Sequence, residues 1–508
     1  MTISDIGKLV VDARGLREAL HADPHRPRYH LIAPEGFIKD VNGALFWRGR
    51  YHVCMLSMTP VAAPQAPQGR NWRGRIWLHA SSADLVHWIH HPPALRADAG
   101  NTDPSYVGPQ SGDAIENAPV PTLIYHDGQK IGTSIAIAQD DELIRWKTLP
   151  ENPVIPYGVH EEVIVFDPCA WYQGDTGGWY QEGVYYALIG NKNFRPGFEG
   201  DSTSLFRSTN LIDWEYRGPF YQSDRKWTTE EADCACPDFF PLGDRYMLLM
   251  HTHKPSPFVQ YYLGRFENER FVPEKHGRMS WPGGSLAGPE TLLDGQGRRV
   301  FFGWIPEGPG GKDYWKEEAY WAGVVSLPRI LCLDTDGSLR IDPAPELEAL
   351  RINRRELTNI ALEDGVETAA PGVQGDGLEL DVTFELGNAR QAGLAVRCSP
   401  NGEEKTRIVF DAPNQTLAVE SRTLQAGQEP LVNRQEAPFV LQSGETLRLR
   451  VFLDRSVLEV FANGRQCLTQ RVYPSRPDSR GVALFARGGP GARARSVRAW
   501  DMMPVVAI

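Results

Sequence analysis

Apolar residues along this chain fall into short runs that alternate with turn residues, and strongly periodic helical segments are nearly absent. Its 49 glycines and 39 prolines are spread over the whole length and interrupt the apolar runs. Short apolar runs between turn signals are typical of β-strands, so the pattern predicts an all-β fold. Representative runs cover residues 74–80, 120–125, 184–189 and 246–250.

A segment that ends in tryptophan occurs three times in the first half of the chain. Each copy has an Asp or Asn, then a leucine, then a tryptophan three residues after the leucine. The tryptophans lie about 60 residues apart, which is the size of one four-stranded β-propeller blade. Residues 24–335 have room for five such blades, after an N-terminal extension over residues 1–23 with a short amphipathic helix. The copies are Ser82–Trp88, Asp140–Trp146 and Ser208–Trp214.

The pattern changes over residues 336–356, a charged stretch that we interpret as a linker. Beyond it, residues 357–508 alternate strictly between apolar and polar positions without helical segments. This alternation predicts a second domain, a β-sandwich. Asn463-Gly464 follows one of its strands and predicts a tight hairpin turn.

Composition excludes several kinds of partner. A net charge of −11 and a pI near 5.7 argue against nucleic acid and against anionic membranes. No apolar run has the length of a signal peptide or a membrane span. The seven cysteines show no disulfide or zinc spacing, so the sequence predicts a cytoplasmic protein with reduced thiols. Fourteen tryptophans and seventeen tyrosines offer flat faces on which sugar rings can stack, although most such residues are core.

Three acidic motifs stand at the ends of predicted strands. Asp40 precedes the Asn42-Gly43 pair, which we interpret as a turn that Asp40 could simply cap. Asp167 ends an apolar run, and the third motif holds Glu231 and Asp233, which alone would indicate a solvated loop. In a propeller, however, equivalent positions of the innermost strands converge on one funnel. Carboxylates that meet there raise one another's pKa, which separates a proton donor from a nucleophile, as a retaining glycosidase requires.

The motifs together resemble glycoside hydrolase family 32, the invertases, levanases and inulinases. Lys39-Asp40-Val-Asn-Gly43 is similar to the family's Asn-Asp-Pro-Asn-Gly, and Phe166-Asp167-Pro168 to its Arg-Asp-Pro. Cys236-Pro-Asp-Phe-Phe240 resembles the end of its Glu-Cys-Pro-Asp-Phe motif, and the segment Asp454–Gly464 matches a sandwich motif. The resemblance covers residues 24–503. It implies a five-bladed propeller followed by a sandwich, with Asp40 as nucleophile and Asp167 as transition-state stabiliser.

The chain departs from this family at several site positions. Ala235 stands where the family has its acid/base glutamate. Positions two and four residues earlier share a strand face with it, so we expect Asp233, or in its place Glu231, to donate the proton. An inactive site is the third possibility. Phe166 replaces an arginine that holds the fructosyl ring, and Lys39 replaces an asparagine.

The expected function is retaining hydrolysis of terminal β-fructofuranosyl linkages in sucrose or fructo-oligosaccharides, without a cofactor and without a metal. Fructosyl transfer, cleavage of another furanoside, and sugar binding without cleavage are the alternatives. The sandwich is interpreted as structural or as a homodimer surface. Further stacking platforms are expected at Trp72 and Tyr314. The expected substrate-binding residues are Lys39, Asn42, Trp77, His79, Ser111, Phe166, Trp304 and Trp315.

Overall fold

The structure, a computed structural model, describes residues 18–58, 75–97, 107–128, 131–174, 183–191, 200–311, 321–425 and 427–505. Almost all of the regular structure in these ranges is β, apart from a helical turn over residues 18–22 and one 3₁₀-helix. No helix in the described part of the chain is long and apolar enough to cross a membrane.

Between Gly36 and Pro343 the described strands form five sheets, each built from consecutive antiparallel strands, and the first sheet has one added parallel strand. The first contains β1 (Gly36–Trp47), β2 (Arg50–Met58), β3 (Ile76–Ser82) and β4 (Trp88–Arg96). The second contains β5 (Pro109–Ala114), β6 (Thr122–Asp127), β7 (Gly132–Ala138), β8 (Trp146–Thr148) and β9 (Ile155–Pro156). The third contains β10 (Pro168–Gln173), β11 (Val184–Gly190), β12 (Ser202–Ser208) and β13 (Glu215–Gln222).

The fourth sheet contains β14 (Ala235–Leu242), β15 (Arg245–Thr252), β16 (Phe258–Glu267) and β17 (Arg270–Arg278). The fifth contains β18 (Ala287–Leu293), β19 (Arg299–Ile305), β21 (Val324–Val325), β22 (Arg329–Leu333) and β23 (Leu339–Pro343). Between β19 and β21 the chain makes β20 (Trp321–Ala322), which pairs in parallel with β1.

The first strands of the five sheets, β1, β5, β10, β14 and β18, contact one another in a closed ring. β20 secures this ring, because it places Trp321 opposite Gly36 and Ala322 opposite Phe37. A late segment of the first domain thereby completes its first sheet. Sheets arranged radially about a ring of first strands form a β-propeller.

The tryptophan repeat marks the turn between the third and fourth strands of three sheets. In each copy the indole N–H donates to the carbonyl of the repeat leucine, at 2.8–3.0 Å. These leucines have φ between 58° and 67°, in the left-handed region. The repeat is therefore one recurring turn structure. Its leucines are Leu85, Leu143 and Leu211.

The prediction of a hairpin turn at Asn42-Gly43 is wrong, because β1 continues through both residues. Gly43 has φ +56° and lies at an irregularity of the β1–β2 ladder. A Cβ there would lie within 3.2 Å of the Trp77 ring. The actual turn is Arg48-Gly49, where both residues have positive φ. Asn463-Gly464 does form the hairpin turn that the sequence predicts.

Residues 336–356, predicted as a linker, are regular structure. They contain β23, a 3₁₀-helix (Pro345–Leu350) and the start of β24 (Arg351–Ala361). Leu347 and Leu350 of the 3₁₀-helix are buried in a cluster with propeller and sandwich residues. Because these side chains bridge the two cores, the connection between the domains is packed.

Two six-stranded sheets follow and enclose one apolar core. The first has the order β24, β35 (Arg493–Met502), β26 (Gly377–Glu385), β31 (Leu447–Asp454), β32 (Val457–Ala462) and β33 (Gln466–Arg471). The second has the order β25 (Glu367–Gln374), β34 (Gly481–Arg487), β27 (Gln391–Cys398), β28 (Lys405–Asp411), β29 (Thr416–Gln425) and β30 (Gln428–Pro438). This is a β-sandwich.

A buried charged network joins the sandwich to the propeller. Asp454 accepts hydrogen bonds from the backbone N–H groups of residues 28–30 and contacts His30 Nδ1 at 2.8 Å. Glu459 contacts His30 Nε2 at 3.2 Å and accepts from Arg329 Nη2 at 2.6 Å. These four side chains have no exposed surface. Burial alone lowers the pKa of His30, but its two carboxylate partners outweigh burial and raise it.

The change His30→Gln is expected to lower the free energy of unfolding by about 3–5 kcal/mol, because it leaves two buried carboxylates short of a cation. A raised histidine pKa stabilises the fold below the unfolded value of 6.5 and stops doing so as pH rises through the folded pKa. Urea unfolding above and below that range measures both effects. His87→Gln, at an exposed Asp84 pair, is the control. Equal losses in the two variants would contradict the prediction.

Candidate active site

One residue from each of the five sheets lies near the mouth of the propeller axis. Each belongs to the first part of its ring strand or directly precedes that strand. They hold two carboxylates, a hydroxyl, a thiol and a glycine, in the order Asp40, Ser111, Asp167, Cys236 and Gly288. The ring strands converge here, so short polar side chains from different sheets reach one another. Asp40 reaches this place because it lies within β1, and Asp167 because it directly precedes β10.

Asp40 is half-buried and held by its neighbours in the ring. Ser111 Oγ donates to Asp40 Oδ2 at 2.8 Å. Gly288, with φ +47°, lies so close that a Cβ there would collide with Asp40 Oδ1. Asn42, which is buried, donates to the Asp40 carbonyl at 2.9 Å and accepts from Gly112 N–H at 2.9 Å. Asn42 therefore fixes the backbone beneath Asp40.

Asp167 is 4% exposed and contacts Cys236 of the neighbouring ring strand. The Cys236 backbone N–H donates to Asp167 Oδ2 at 3.2 Å, and the thiol lies 3.6 Å from the same oxygen. His126 Nδ1 lies 4.0 Å from Asp167 Oδ1, and its ring meets Phe166 edge-on at 5.7 Å. Burial raises the pKa of the Cys236 thiol well above its usual value, so this cysteine is a neutral donor.

Arg75 supplies a cation that the sequence analysis missed. It is 7% exposed, precedes β3, and donates from Nη1 to Gln110 Oε1 at 2.7 Å. Burial lowers the pKa of Arg75 to about 10, while the charges of Asp40 and Asp167 raise it against this effect. A guanidinium thus acts on both carboxylates. No motif marks Arg75. It belongs to the first sheet, whereas the motif that contains Phe166 and Asp167 leads into the third sheet.

A second layer of acids lies two residues farther along three ring strands. Its members are Asp113, Asp238 and Glu290. Thr291 Oγ1 donates to Asp238 at 2.6 Å, and Ala44 N–H donates to Glu290 at 3.1 Å. Burial raises the pKa of Asp113 and of Glu290 well above their usual values, and it raises that of Asp238 to about 7. The period of two residues in a strand is the signal that could have found this layer.

The two expected proton donors precede the fourth sheet and do not share a strand with Ala235, because β14 begins only at Ala235. Asp233 accepts from His253 N–H at 2.7 Å and contacts His253 Nδ1 at 2.9 Å, while Thr252 Oγ1 lies 3.1 Å away. Burial alone raises the pKa of Asp233, but the bonds from His253 and Thr252 outweigh it and lower the pKa. Glu231 is exposed. Ala235, 1% exposed, lies opposite His251 in the β14–β15 ladder.

The expected sugar-binding residues divide into two groups. Lys39 Nζ lies 6.0 Å from the Phe37 ring and 5.9 Å from the Trp304 ring, beside the start of β1. The structure does not bring Trp77 and His79 to the funnel. Trp77 has no exposed surface and donates to the Gln110 carbonyl, and His79 lies between His52 and His91.

These two residues lie in the core because they belong to β3, the third strand from the axis. The aromatic candidates Trp72, Tyr314 and Trp315 lie outside the described residues. Within the described ranges, no three His, Cys, Asp or Glu side chains are placed to hold a metal ion.

Known proteins resemble this chain over nearly its whole length. A sucrose-6-phosphate hydrolase of Zymomonas mobilis is 27% identical over 490 residues, which cover 91% of this chain and 90% of that protein. A levanase of Bacillus subtilis is 25% identical and covers 96% of this chain and 72% of that protein. The crystal structure of fructan 1-exohydrolase IIa from Cichorium intybus superposes with a TM-score of 0.80 at 22% identity, covering 96% and 99% of the two chains.

Two family models match the two domains. The N-terminal domain of glycosyl hydrolases family 32 matches residues 30–343, and the C-terminal domain of the same family matches residues 346–501. Together they cover the propeller, with both carboxylates of its funnel, and the sandwich. The chain belongs to glycosyl hydrolases family 32 and is a glycoside hydrolase that acts on O-glycosyl bonds.

Proposed function

We propose that the protein is a retaining β-fructofuranosidase that releases the terminal fructosyl unit from sucrose or fructo-oligosaccharides. The observation that carries the proposal is the pair Asp40 and Asp167 at equivalent ring positions, with Arg75 acting on both. The relatives support the substrate class, since they include a sucrose-6-phosphate hydrolase, a levanase and a fructan exohydrolase. In the same proposal, each of the five sheets is one blade of a five-bladed propeller, which extends past the predicted end at residue 335 to β23.

Asp40 is the nucleophile in this proposal. Ser111 and Gly288 confine its carboxylate, which attacks the anomeric C2 of the fructosyl unit and forms a covalent intermediate. Asp167 binds ring hydroxyls and stabilises the positive charge of the oxocarbenium-like transition state. Water then attacks C2 and releases fructose. A sugar hydroxyl in the place of water would give fructosyl transfer by the same intermediate.

The proton donor expected at Asp233 or Glu231 has the least geometric support. The backbone N–H and the ring of His253 and the hydroxyl of Thr252 occupy both carboxylate oxygens of Asp233 and lower its pKa, so neither oxygen is free to face a leaving group. Glu231 is exposed, where water surrounds its carboxylate.

Arg75 takes over the binding role of the arginine that Phe166 replaces. Its guanidinium is nearly buried, acts on both funnel carboxylates and lies beside Gln110. Dimerisation through the sandwich and a cytoplasmic location stay predictions, and so do the boundaries 336–356 and 357–508.

The change Asp40→Asn is expected to reduce fructose release from sucrose by about 10³-fold or more, because an amide cannot form the covalent intermediate. Initial rates with sucrose and with an inulin-type trisaccharide measure this loss. Asp141→Asn, at an exposed aspartate paired with Arg48, is the control and keeps the wild-type rate. A variant Asp40→Asn with more than a tenth of the wild-type rate would exclude Asp40 as nucleophile.

The change Arg75→Gln is expected to lower kcat/KM for sucrose by roughly 10–100-fold, since a charged hydrogen bond contributes about 1.5–3 kcal/mol. The loss should be in KM as well as kcat, because Arg75 acts on the residues that hold the fructosyl ring. Steady-state kinetics give both constants. Arg96→Gln, at an exposed arginine of the same sheet, is the matched control. Unchanged kinetics in Arg75→Gln would show that the missing arginine has no substitute here.

A further inference from the structure

The fourth sheet contains a buried histidine that the proposed mechanism does not use. We propose that His251 gives the proton to the leaving oxygen, from the strand beside the position where the family has its glutamate. This inference rests on the proposed function and names a further catalytic residue for it.

The ladder places His251 opposite Ala235. Side chains of directly paired residues project from the same face of a sheet, so the imidazole lies beside the methyl group of Ala235. Ala235 is 1% exposed and His251 is 6% exposed. A glutamate at position 235 would have to share this space with the imidazole. The chain has a small residue on one strand and a titratable ring on its neighbour.

His251 is also close to the funnel. Cys236, the residue after Ala235, donates its backbone N–H to Asp167 Oδ2. The charge of Asp40 acts on His251 and raises its pKa against burial. His251 Nδ1 is buried and has no hydrogen-bond partner within the described ranges. A buried ring nitrogen without a partner costs free energy, which a substrate oxygen at this place would recover.

A second histidine connects His251 to Asp233. The rings of His251 and His253 meet edge to face at 4.8 Å. His253 contacts Asp233 Oδ2 through Nδ1 and donates its backbone N–H to Oδ1. Asp233 thus orients His253, and His253 packs against the proton donor. In this arrangement Asp233 is a positioning residue, which agrees with its lowered pKa.

The proton and electron pairs balance in this mechanism. Protonated His251 gives an imidazole N–H proton to the glycosidic oxygen as the bond from that oxygen to C2 breaks and the Asp40–C2 ester forms. Neutral His251 then accepts a proton from the attacking water. The ester bond breaks, fructose leaves, and the Asp40 carboxylate and the protonated imidazole return.

The groups around His251 give this step a distinctive pH dependence. They are Asp40 on β1, Asp233 and Cys236 at the start of β14, and His253 after β15. Burial and the charge of His253 lower the pKa of His251 to about 4, against the opposing charges of Asp40 and Asp233. Only protonated His251 donates, so kcat/KM for sucrose should fall as pH rises above about 4.

The test compares sucrose with β-fructofuranosyl fluoride, whose leaving group needs no proton. His251→Gln is expected to lower kcat/KM for sucrose about 10²–10³-fold, in the range of general acid catalysis. The same variant should keep the rate with the fluoride within about threefold and lose the decline above pH 4. Retained fluoride cleavage also shows that the variant is folded. His276→Gln is the matched control, because His276 is a half-buried histidine of the same sheet with a pKa of about 4.

Three results would overturn the inference. One is a His251→Gln variant with the sucrose rate and pH profile of the wild type. Another is a loss confined to sucrose in Asp233→Asn or Glu231→Gln but absent in His251→Gln. The third is a wild-type enzyme that cleaves the fluoride and not sucrose, which would leave the proposed nucleophile intact and exclude any proton donor. Cleavage of neither compound would instead remove the proposed function, and the inference with it.

Discussion

The convergence of carboxylates on the propeller axis is the constraint on which the site depends. The ring strands gather acids at two successive levels near the axis, and like charges that are gathered away from water repel one another. The upper level contains Asp40 and Asp167, which have donors in Ser111 and Cys236 and a cation in Arg75. The lower level has few donors and deeper burial, so its pKa values rise.

The two levels therefore differ in charge although they contain the same chemical group. Burial keeps protons on the lower acids near neutral pH, so they add little negative charge beneath the upper carboxylates. Thr291 and Ala44 N–H satisfy oxygens of Asp238 and Glu290. Arg299 forms a bidentate ion pair with Glu116, in which Nη1 and Nη2 donate to the two carboxylate oxygens at 2.5 and 3.0 Å. The axis thereby supports a charged funnel above a nearly neutral base.

The sandwich maintains this geometry from outside the propeller. Asp454 holds the backbone of residues 28–30, which lead directly into β1 and so to Asp40. Glu459 holds His30 and Arg329, and Arg329 begins β22 of the sheet that also contains Gly288. The segment Asp454–Gly464 thus anchors the residues before β1, which carries Asp40, and the fifth sheet, which carries Gly288. Its carboxylates are structural, although their burial resembles that of catalytic acids.

The sequence predicts what is local or repeated, and it fails where distant strands meet. The tryptophan repeat and the apolar runs define the sheets, and the acids at strand ends lead to Asp40 and Asp167. The prediction that Trp77 and His79 line the funnel fails because the order of motifs along the chain does not give their distance from the axis. Arg75 and His251 have no motif at all. Their significance comes from the position of Arg75 just before β3 in one sheet and from the pairing of β15 with β14 in another.

These two residues share a feature that explains how a divergent funnel can keep its chemistry. Phe166 and Ala235 remove a cation and an acid from positions at the ring itself. Arg75 and His251 come from outside it, just before β3 and near the end of β15. Antiparallel neighbours place side chains about 5 Å apart on one face, so the acid lost from β14 can be supplied by β15 beside it, whereas Arg75 comes from the start of a third strand in another sheet. A propeller offers the first route in every sheet, because the second strand pairs antiparallel with the ring strand and its side chains project from the same faces.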